Sequence, residues 1–269
     1  MLAPKPFVVT RGATRLFGER WGEAETCVVL LHAGVADRRS WHGVAARLAD
    51  RVQVIAYDFR GFGESEPGNG EFSHLEDLAA VLDHLGPAPV YLVGSSLGGG
   101  VALDLALRSA ERVAALVLFA PAISGSPEPE LDPTTKRFDE LLGRAARSGD
   151  WAETIRLSLW LWLDGAREPE GRVPEPARQL ARDMIGDIER HGLSEGRGAS
   201  GLDTWSRLEE IQVPALVACG DRDLPFLINR SQELASRLPQ GSHVVLPETA
   251  HLPYLEQPDA VADVVRGFL

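Results

Sequence analysis

The fold is decided by the segment Val90-Tyr91-Leu92-Val93-Gly94-Ser95-Ser96-Leu97-Gly98-Gly99-Gly100. Its first four residues are apolar and partly β-branched, which predicts a buried strand. From Val101 onward, the apolar residues recur with helical spacing. The Gly-x-Ser-x-Gly pattern therefore lies between a strand and a helix, and this context predicts a nucleophile elbow centred on Ser96.

The two outer glycines of this pattern have a mechanical reason. In so tight a turn, the residues two before and two after the nucleophile have almost no room for a side chain, which predicts glycine at positions 94 and 98. Ser96 would then hold a strained backbone at the start of a helix, where N–H groups and the helix dipole favour developing negative charge. The alternative to a nucleophile elbow is a glycine-rich turn that only packs closely. Motifs elsewhere in the chain are needed to distinguish the two.

Composition limits the classes of function. The chain has 269 residues, 44% of them hydrophobic and 25% charged, and this length suits one large α/β domain, with or without an insertion. The formal net charge of −12 argues against nucleic acid or an anionic membrane surface as a partner, since both require a basic face.

The cysteines and the amino-terminal segment suggest the compartment. Cys27 and Cys219 each belong to an apolar run, which predicts buried, reduced thiols and no disulfide framework. The first residues lack the apolar stretch of a signal peptide, and the chain has no run of about 18 apolar residues. We therefore expect a soluble cytoplasmic protein with no membrane partner.

Strand and helix patterns alternate along most of the chain, which predicts a mostly parallel sheet with helices on both faces. We expect eight strands, the first two forming an edge hairpin. They are predicted at residues 7–10, 14–17, 27–31, 52–57, 90–93, 114–119, 215–219 and 243–246.

The alternation is interrupted once. Residues 122–206 contain no strand-like run, and helical patterns occur around 137–148, 151–163 and 176–191. We predict a helical cap insertion at 122–206 over a core domain made of residues 1–121 and 207–269. Its Gly- and Ser-rich tail, residues 192–201, is expected to be mobile.

Partners for Ser96 should follow the later strands, since the carboxyl ends of parallel strands share one edge of a sheet. Asp221 and Asp223 follow the seventh predicted strand, and His251 follows the eighth. A serine hydroxyl needs a base, and the base needs an orienting group, so either aspartate could complete a triad in the order Ser, Asp, His. That chain order is typical of one hydrolase fold.

The sequence resembles α/β-hydrolases of the bacterial ester, lactone and enol-lactone hydrolase type, over nearly its whole length. The resemblance implies an α/β-hydrolase fold in which Ser96 is the nucleophile, His251 the base and Asp223 the acid, and in which the backbone N–H groups of Leu97 and Gly34 form the oxyanion hole. Ala33 stands where the family usually has glycine, so Val35 is an alternative to Gly34. The matching segments are residues 32–35, 58–65, 94–98, 220–223 and 250–256.

Aromatic and leucine side chains are abundant in the predicted cap. Most should pack the cap onto the core, but the apolar run 159–163 has more hydrophobic surface than one contact face needs. We predict that Val35, Trp160, Trp162 and Leu252 line a substrate pocket. Apart from Arg60 in the 58–65 turn, Arg38 and Arg39 are the nearest candidates for anchoring a carboxylate, so we expect neutral, apolar substrates.

The prediction is a serine hydrolase that cleaves a carboxylic ester or lactone through an acyl-enzyme, with no metal or cofactor. The same triad could cleave a carbon–carbon bond or act as a perhydrolase, and a non-catalytic ligand receptor on this fold is a third class. Fold alone does not choose the substrate. A homodimer is an open alternative to a monomer.

Overall fold

The computed structural model describes residues 3–68, 70–191 and 201–269. Eight strands form one sheet, each built on an apolar or alternating run of the sequence. They are β1 (Lys5–Arg11), β2 (Thr14–Trp21), β3 (Cys27–Leu31), β4 (Gln53–Tyr57), β5 (Val90–Ser95), β6 (Val113–Phe119), β7 (Ala215–Gly220) and β8 (Gly241–Leu246).

The strand order is β1-β2-β4-β3-β5-β6-β7-β8. The hairpin β1–β2 is antiparallel and joins β4 in antiparallel register, whereas β4, β3, β5, β6, β7 and β8 run parallel. The predicted eight-stranded, mostly parallel sheet is confirmed. All six parallel strands end at one edge, where their following loops converge.

Nine α-helices lie in the described residues. They are α1 (His42–Leu48), α2 (His74–Leu85), α3 (Leu97–Arg108), α4 (Pro133–Ser148), α5 (Trp151–Ser158), α6 (Ala177–His191), α7 (Pro225–Arg237), α8 (Pro253–Glu256) and α9 (Pro258–Phe268). One face of the sheet packs against α2, α3 and α7, and the other against α1, α8 and α9. No helix in these ranges is long and apolar enough to cross a bilayer.

Residues 122–206, here called the cap segment, contain α4, α5 and α6. After α5 the chain continues as a π-helix over Leu159–Gly165. Leu159 and Leu163 join the core cluster on the α1 face, while Leu161 packs with Phe138 of α4. The apolar run thus serves two packing surfaces. The predicted mobility of residues 192–201 falls almost entirely on residues outside the described ranges.

The amino terminus of α2 holds a buried imidazole among aromatic rings. The His74 ring centroid lies 4.9 Å from that of Phe59 and 5.0 Å from that of Phe72. His74 is 5% exposed, and its Nδ1 has no hydrogen-bond partner among the described residues. Burial lowers the pKa of His74 from 6.5 to about 4.

We therefore expect His74 to make the fold less stable in acid. Between pH 6.5 and pH 4 the unfolded chain binds a proton at this residue more readily than the folded chain does. The destabilisation by His74 is absent above pH 6.5. As the pH falls towards 4, it lowers the free energy of unfolding by about 2 to 3 kcal/mol. Denaturant unfolding of the wild type and of His74→Phe at pH 7 and at pH 4 measures it.

The other buried titratable groups are common to both proteins, so their effects cancel in the difference. The wild type should lose about 2 to 3 kcal/mol more of its free energy of unfolding between pH 7 and pH 4 than His74→Phe loses. Parallel pH profiles would contradict the assignment of acid sensitivity to His74.

Candidate active site

Ser96 lies at the sharp turn between β5 and α3. Its φ of 48° and ψ of −113° fall in a region that side chains other than glycine rarely adopt. The turn is held on both sides, because Ser96 N–H donates to the Phe119 carbonyl at 2.9 Å and Ala122 N–H donates to the Ser96 carbonyl at 2.9 Å. Ser96 is partly exposed, whereas its neighbour Ser95 is fully buried.

The flanking glycines are required by close backbone contact. A Cβ added to Gly94 would overlap the Gly98 carbonyl, and a Cβ added to Gly98 would overlap the Leu31 carbonyl of β3. The predicted lack of room for a side chain is therefore confirmed at both positions, at Gly94 within the turn and at Gly98 against the neighbouring strand β3.

Asp223 and His251 meet behind the same edge of the sheet. Asp223 follows β7, His251 follows β8, and His251 Nδ1 lies 2.8 Å from Asp223 Oδ2. The two side chains are 1% and 3% exposed. Because an ionised carboxylate only accepts hydrogen bonds, Nδ1 carries a proton, and in the neutral ring Nε2 then keeps its lone pair. Asp223 is itself oriented by Leu224 N–H, which donates to Oδ1 at 2.7 Å.

The structure distinguishes the two aspartates that follow β7. Asp221 is exposed and lies beside Arg222, with which it interacts electrostatically. Asp223 is buried and bonded to His251. Of the two carboxylates left open by spacing, only Asp223 contacts the histidine.

Three backbone N–H groups around the Ser96 turn are candidates for an oxyanion hole. Within the described ranges, the N–H groups of Gly34, Val35 and Leu97 have no hydrogen-bond partner, while Ala36 N–H closes a turn onto the Ala33 carbonyl at 3.1 Å. A Cβ built on Gly34 would lie 3.9 Å from Leu97 Cβ, so Gly34 and Leu97 are neighbours. Gly34 and Val35 both retain a free donor.

His32 holds the loop that carries Gly34. Its Nδ1 lies 2.8 Å from the Ala33 carbonyl, and Phe59 N–H donates to its Nε2 at 2.9 Å. Burial lowers the pKa of His32 to about 4, so the ring is neutral at pH 7. Both ring nitrogens bond to the backbone, so His32 has a structural role in this loop.

The four residues predicted to line a pocket lie in different surroundings. The Trp162 ring centroid is 4.8 Å from that of His251, and Val35 is partly exposed beside Gly34. Trp160 packs edge-on against Phe138 and donates its indole N–H to the Glu168 carbonyl at 2.8 Å. Leu252 is fully buried in the core. Of the two tryptophans, Trp162 is the one whose ring packs against the candidate base.

The candidate carboxylate anchors are already engaged. Arg38 is paired with Asp58, Glu64 and Glu19, and Arg39 with Asp37 and Asp187. Both arginines thus already have carboxylate partners in the protein.

Sequence reasoning gave no role to two charged residues next to the site, Arg172 and Glu256. Glu256 was part of a recognised motif, but nothing in the pattern of residues indicates its contact with a cap arginine. They pair at 2.5 Å, and Glu256 also accepts the N–H of the residue before His251.

A mostly parallel sheet with an elbow serine after β5 and a buried Asp–His pair at the same edge is the arrangement of α/β-hydrolases. The chain belongs to the alpha/beta hydrolase family, whose sequence pattern matches residues 28–264.

The chain is moderately similar in sequence to several named proteins. One is a Bacillus subtilis protein named "Putative 2-succinyl-6-hydroxy-2,4-cyclohexadiene-1-carboxylate synthase", 29% identical over 97% of this chain and 96% of its own. Another is the pimeloyl-[acyl-carrier protein] methyl ester esterase of Pectobacterium atrosepticum, 30% identical over 94% and 98%. Among solved structures, a thermophilic esterase from Thermogutta terrifontis is 27% identical and superimposes with a TM-score of 0.76 over 98% of this chain and 97% of that chain. Esterases are thus among the similar proteins, and the chain is a hydrolase of the α/β fold.

Proposed function

We propose that this protein hydrolyses carboxylic esters or lactones through an acyl-enzyme on Ser96. The observation that carries the proposal is the buried Asp223–His251 hydrogen bond at the sheet edge where the Ser96 elbow lies. Esterases among the relatives support the same class of reaction.

In the first half of the reaction, the Ser96 hydroxyl oxygen attacks the ester carbonyl carbon while His251 Nε2 takes the hydroxyl proton. Asp223 keeps the proton on Nδ1 and stabilises the imidazolium that forms. Free N–H groups of Leu97 and of Gly34, or of Val35 if the register differs by one, stabilise the oxyanion. The carbon–oxygen bond then breaks, and His251 returns its proton to the leaving alcohol.

In the second half, water replaces the alcohol. The water oxygen attacks the acyl carbon while His251 Nε2 takes a proton from the water. The bond between the acyl carbon and Ser96 then breaks as His251 returns the proton to the Ser96 oxygen. The carboxylic acid leaves and the enzyme returns to its starting state.

For the substrate, we propose a neutral compound with an apolar acyl group. Trp162 against His251 offers an apolar surface next to the reacting atoms. Arg38 and Arg39 are committed to carboxylates, and the net charge of −12 repels anions. Each methylene buried would contribute roughly 0.8 kcal/mol, or about fourfold in affinity.

A substrate panel tests this proposal. We expect kcat/KM to rise by up to about 15-fold from p-nitrophenyl acetate to the butyrate, as two methylenes are buried. A neutral lactone should be at least about tenfold better than an enol-lactone with a free carboxylate, since a buried charge needs a partner.

Two results would contradict the substrate class. Preference for the carboxylated lactone would mean that an arginine leaves its partner to bind substrate, and Arg38→Ala and Arg39→Ala would identify which one. Absence of hydrolysis across the panel, with cleavage of a β-diketone instead, would replace ester hydrolysis by carbon–carbon bond hydrolysis.

A further inference from the structure

A buried carboxylate closes the loop that carries His251. Residues 247–256, here called the base loop, end at Glu256, whose side chain is 3% exposed. Its Oε1 accepts the backbone N–H of Ala250 at 2.8 Å. Since Ala250 directly precedes His251, the backbone beside the candidate base is fixed by a side chain six residues later.

This carboxylate is in a costly position. Burial raises the pKa of Glu256 to about 7, and Arg172 counteracts the shift. An ionised carboxylate so deeply buried needs both a counter-charge and hydrogen-bond donors. Arg172 supplies the charge and Ala250 supplies a donor.

Arg172 comes from the cap segment and has four acceptors. Its Nη2 donates to Glu256 at 2.5 Å and to the Leu163 carbonyl at 3.0 Å. Its Nε donates to the Asp164 carbonyl at 2.6 Å, and its Nη1 to the Glu248 carbonyl at 3.0 Å. Two of these acceptors belong to the cap segment and two to the base loop, so one guanidinium spans the boundary between them.

The part of the cap segment that Arg172 binds, around Leu163 and Asp164, also contacts the candidate base. Trp162 directly precedes Leu163, and its ring packs on the His251 ring with an interplanar angle of 47°. Gly165 lies against the residue before the candidate base, since a Cβ placed there would lie 3.5 Å from Ala250 Cβ. The imidazole therefore contacts Asp223 at Nδ1 and the Trp162 ring, and Arg172 links the cap segment that carries Trp162 to the base loop that carries His251.

We propose that Arg172 and Glu256 are positioning residues, whose ion pair holds the cap segment and the base loop in the arrangement that aligns His251 for proton transfer. The inference rests on the proposed function, because proton transfer by His251 is the step it serves.

The chemistry of the pair predicts unequal effects of four variants. Arg172→Met removes all four bonds, and Glu256→Leu removes both contacts of the carboxylate. Each should lower kcat by about 10- to 100-fold with KM changed less than about threefold, since a small misplacement of a catalytic group is enough for such a loss. Glu256→Gln retains an oxygen acceptor, so its activity should lie within about fivefold of the wild type. The double variant Arg172→Met/Glu256→Leu should be no worse than about threefold below the poorer single variant.

The experiment measures kcat and KM on p-nitrophenyl butyrate, at a temperature well below the thermal midpoint of each variant. The concentration of active sites is counted by exhaustive labelling with a fluorophosphonate, and kcat is expressed per active site. Counting sites separates a misaligned base from a smaller folded fraction. The matched control is Arg182→Ala, a cap arginine whose contacts with Gln179 and Glu175 stay within the cap, and it should retain wild-type kcat.

The outcomes are distinguishable. Wild-type kcat per site in Arg172→Met or Glu256→Leu, a change in KM alone, or equal losses for Glu256→Gln and Glu256→Leu would overturn the positioning role and leave the proposed function intact. A wild type that labels but hydrolyses no ester would count against the proposed function. In that case the labelling rate constants of the same variants decide on the positioning role, since labelling also requires activation of Ser96.

Discussion

Replacing Ser96 with alanine should lower ester hydrolysis by at least about 10³-fold, and His251→Ala should cost about as much. The hydroxyl oxygen is the atom that bonds to the acyl carbon, and without the imidazole it stays protonated. Because the two groups act as one unit, the double variant should be little worse than either single variant. Steady-state kinetics on a p-nitrophenyl ester measures the loss, and thermal unfolding checks that the fold is intact.

Ser95→Ala is the matched control for Ser96→Ala. Ser95 precedes the elbow serine and carries the same hydroxyl, but it is fully buried. Its replacement should leave activity within a few-fold of the wild type, and a fluorophosphonate should label Ser95→Ala but not Ser96→Ala. Substantial turnover by Ser96→Ala would rule out Ser96 as the nucleophile.

The sheet was predictable because its signals are local. Each parallel strand is a short apolar run, and the contact that requires glycine at position 94, with the Gly98 carbonyl, lies within the elbow motif. Helix ends were predicted less well. The helix predicted around 137–148 begins earlier, at Pro133, where proline occupies the first turn after the capping residue Asp132. These start signals are present in the sequence, but the predicted start of the helix followed the spacing of the apolar residues instead.

The contacts around the candidate site were predictable only in part. The spacing left Asp221 and Asp223 open, and the resemblance to a family favoured the one that contacts His251. The π-helix at Leu159–Gly165 and the Arg172–Glu256 pair were not predicted. Arg172 and Glu256 are 84 residues apart along the chain, and their contact depends on how the cap segment lies on the core. Neither periodicity nor a local motif contains that information.

Replacing Asp223 with asparagine should lower kcat by about 10⁴-fold with little change in KM. The carboxylate accepts the proton on His251 Nδ1, and an amide can instead donate to Nδ1 and stabilise the tautomer that carries its proton on Nε2. In that tautomer the histidine cannot take the proton of Ser96, although the substrate still binds. Asp221→Asn is the matched control, because it makes the same chemical change two residues away at an exposed position, and it should cost less than about threefold. Equal losses in the two variants, measured as kcat and KM on one ester, would show that the contact with His251 does not set the role of Asp223.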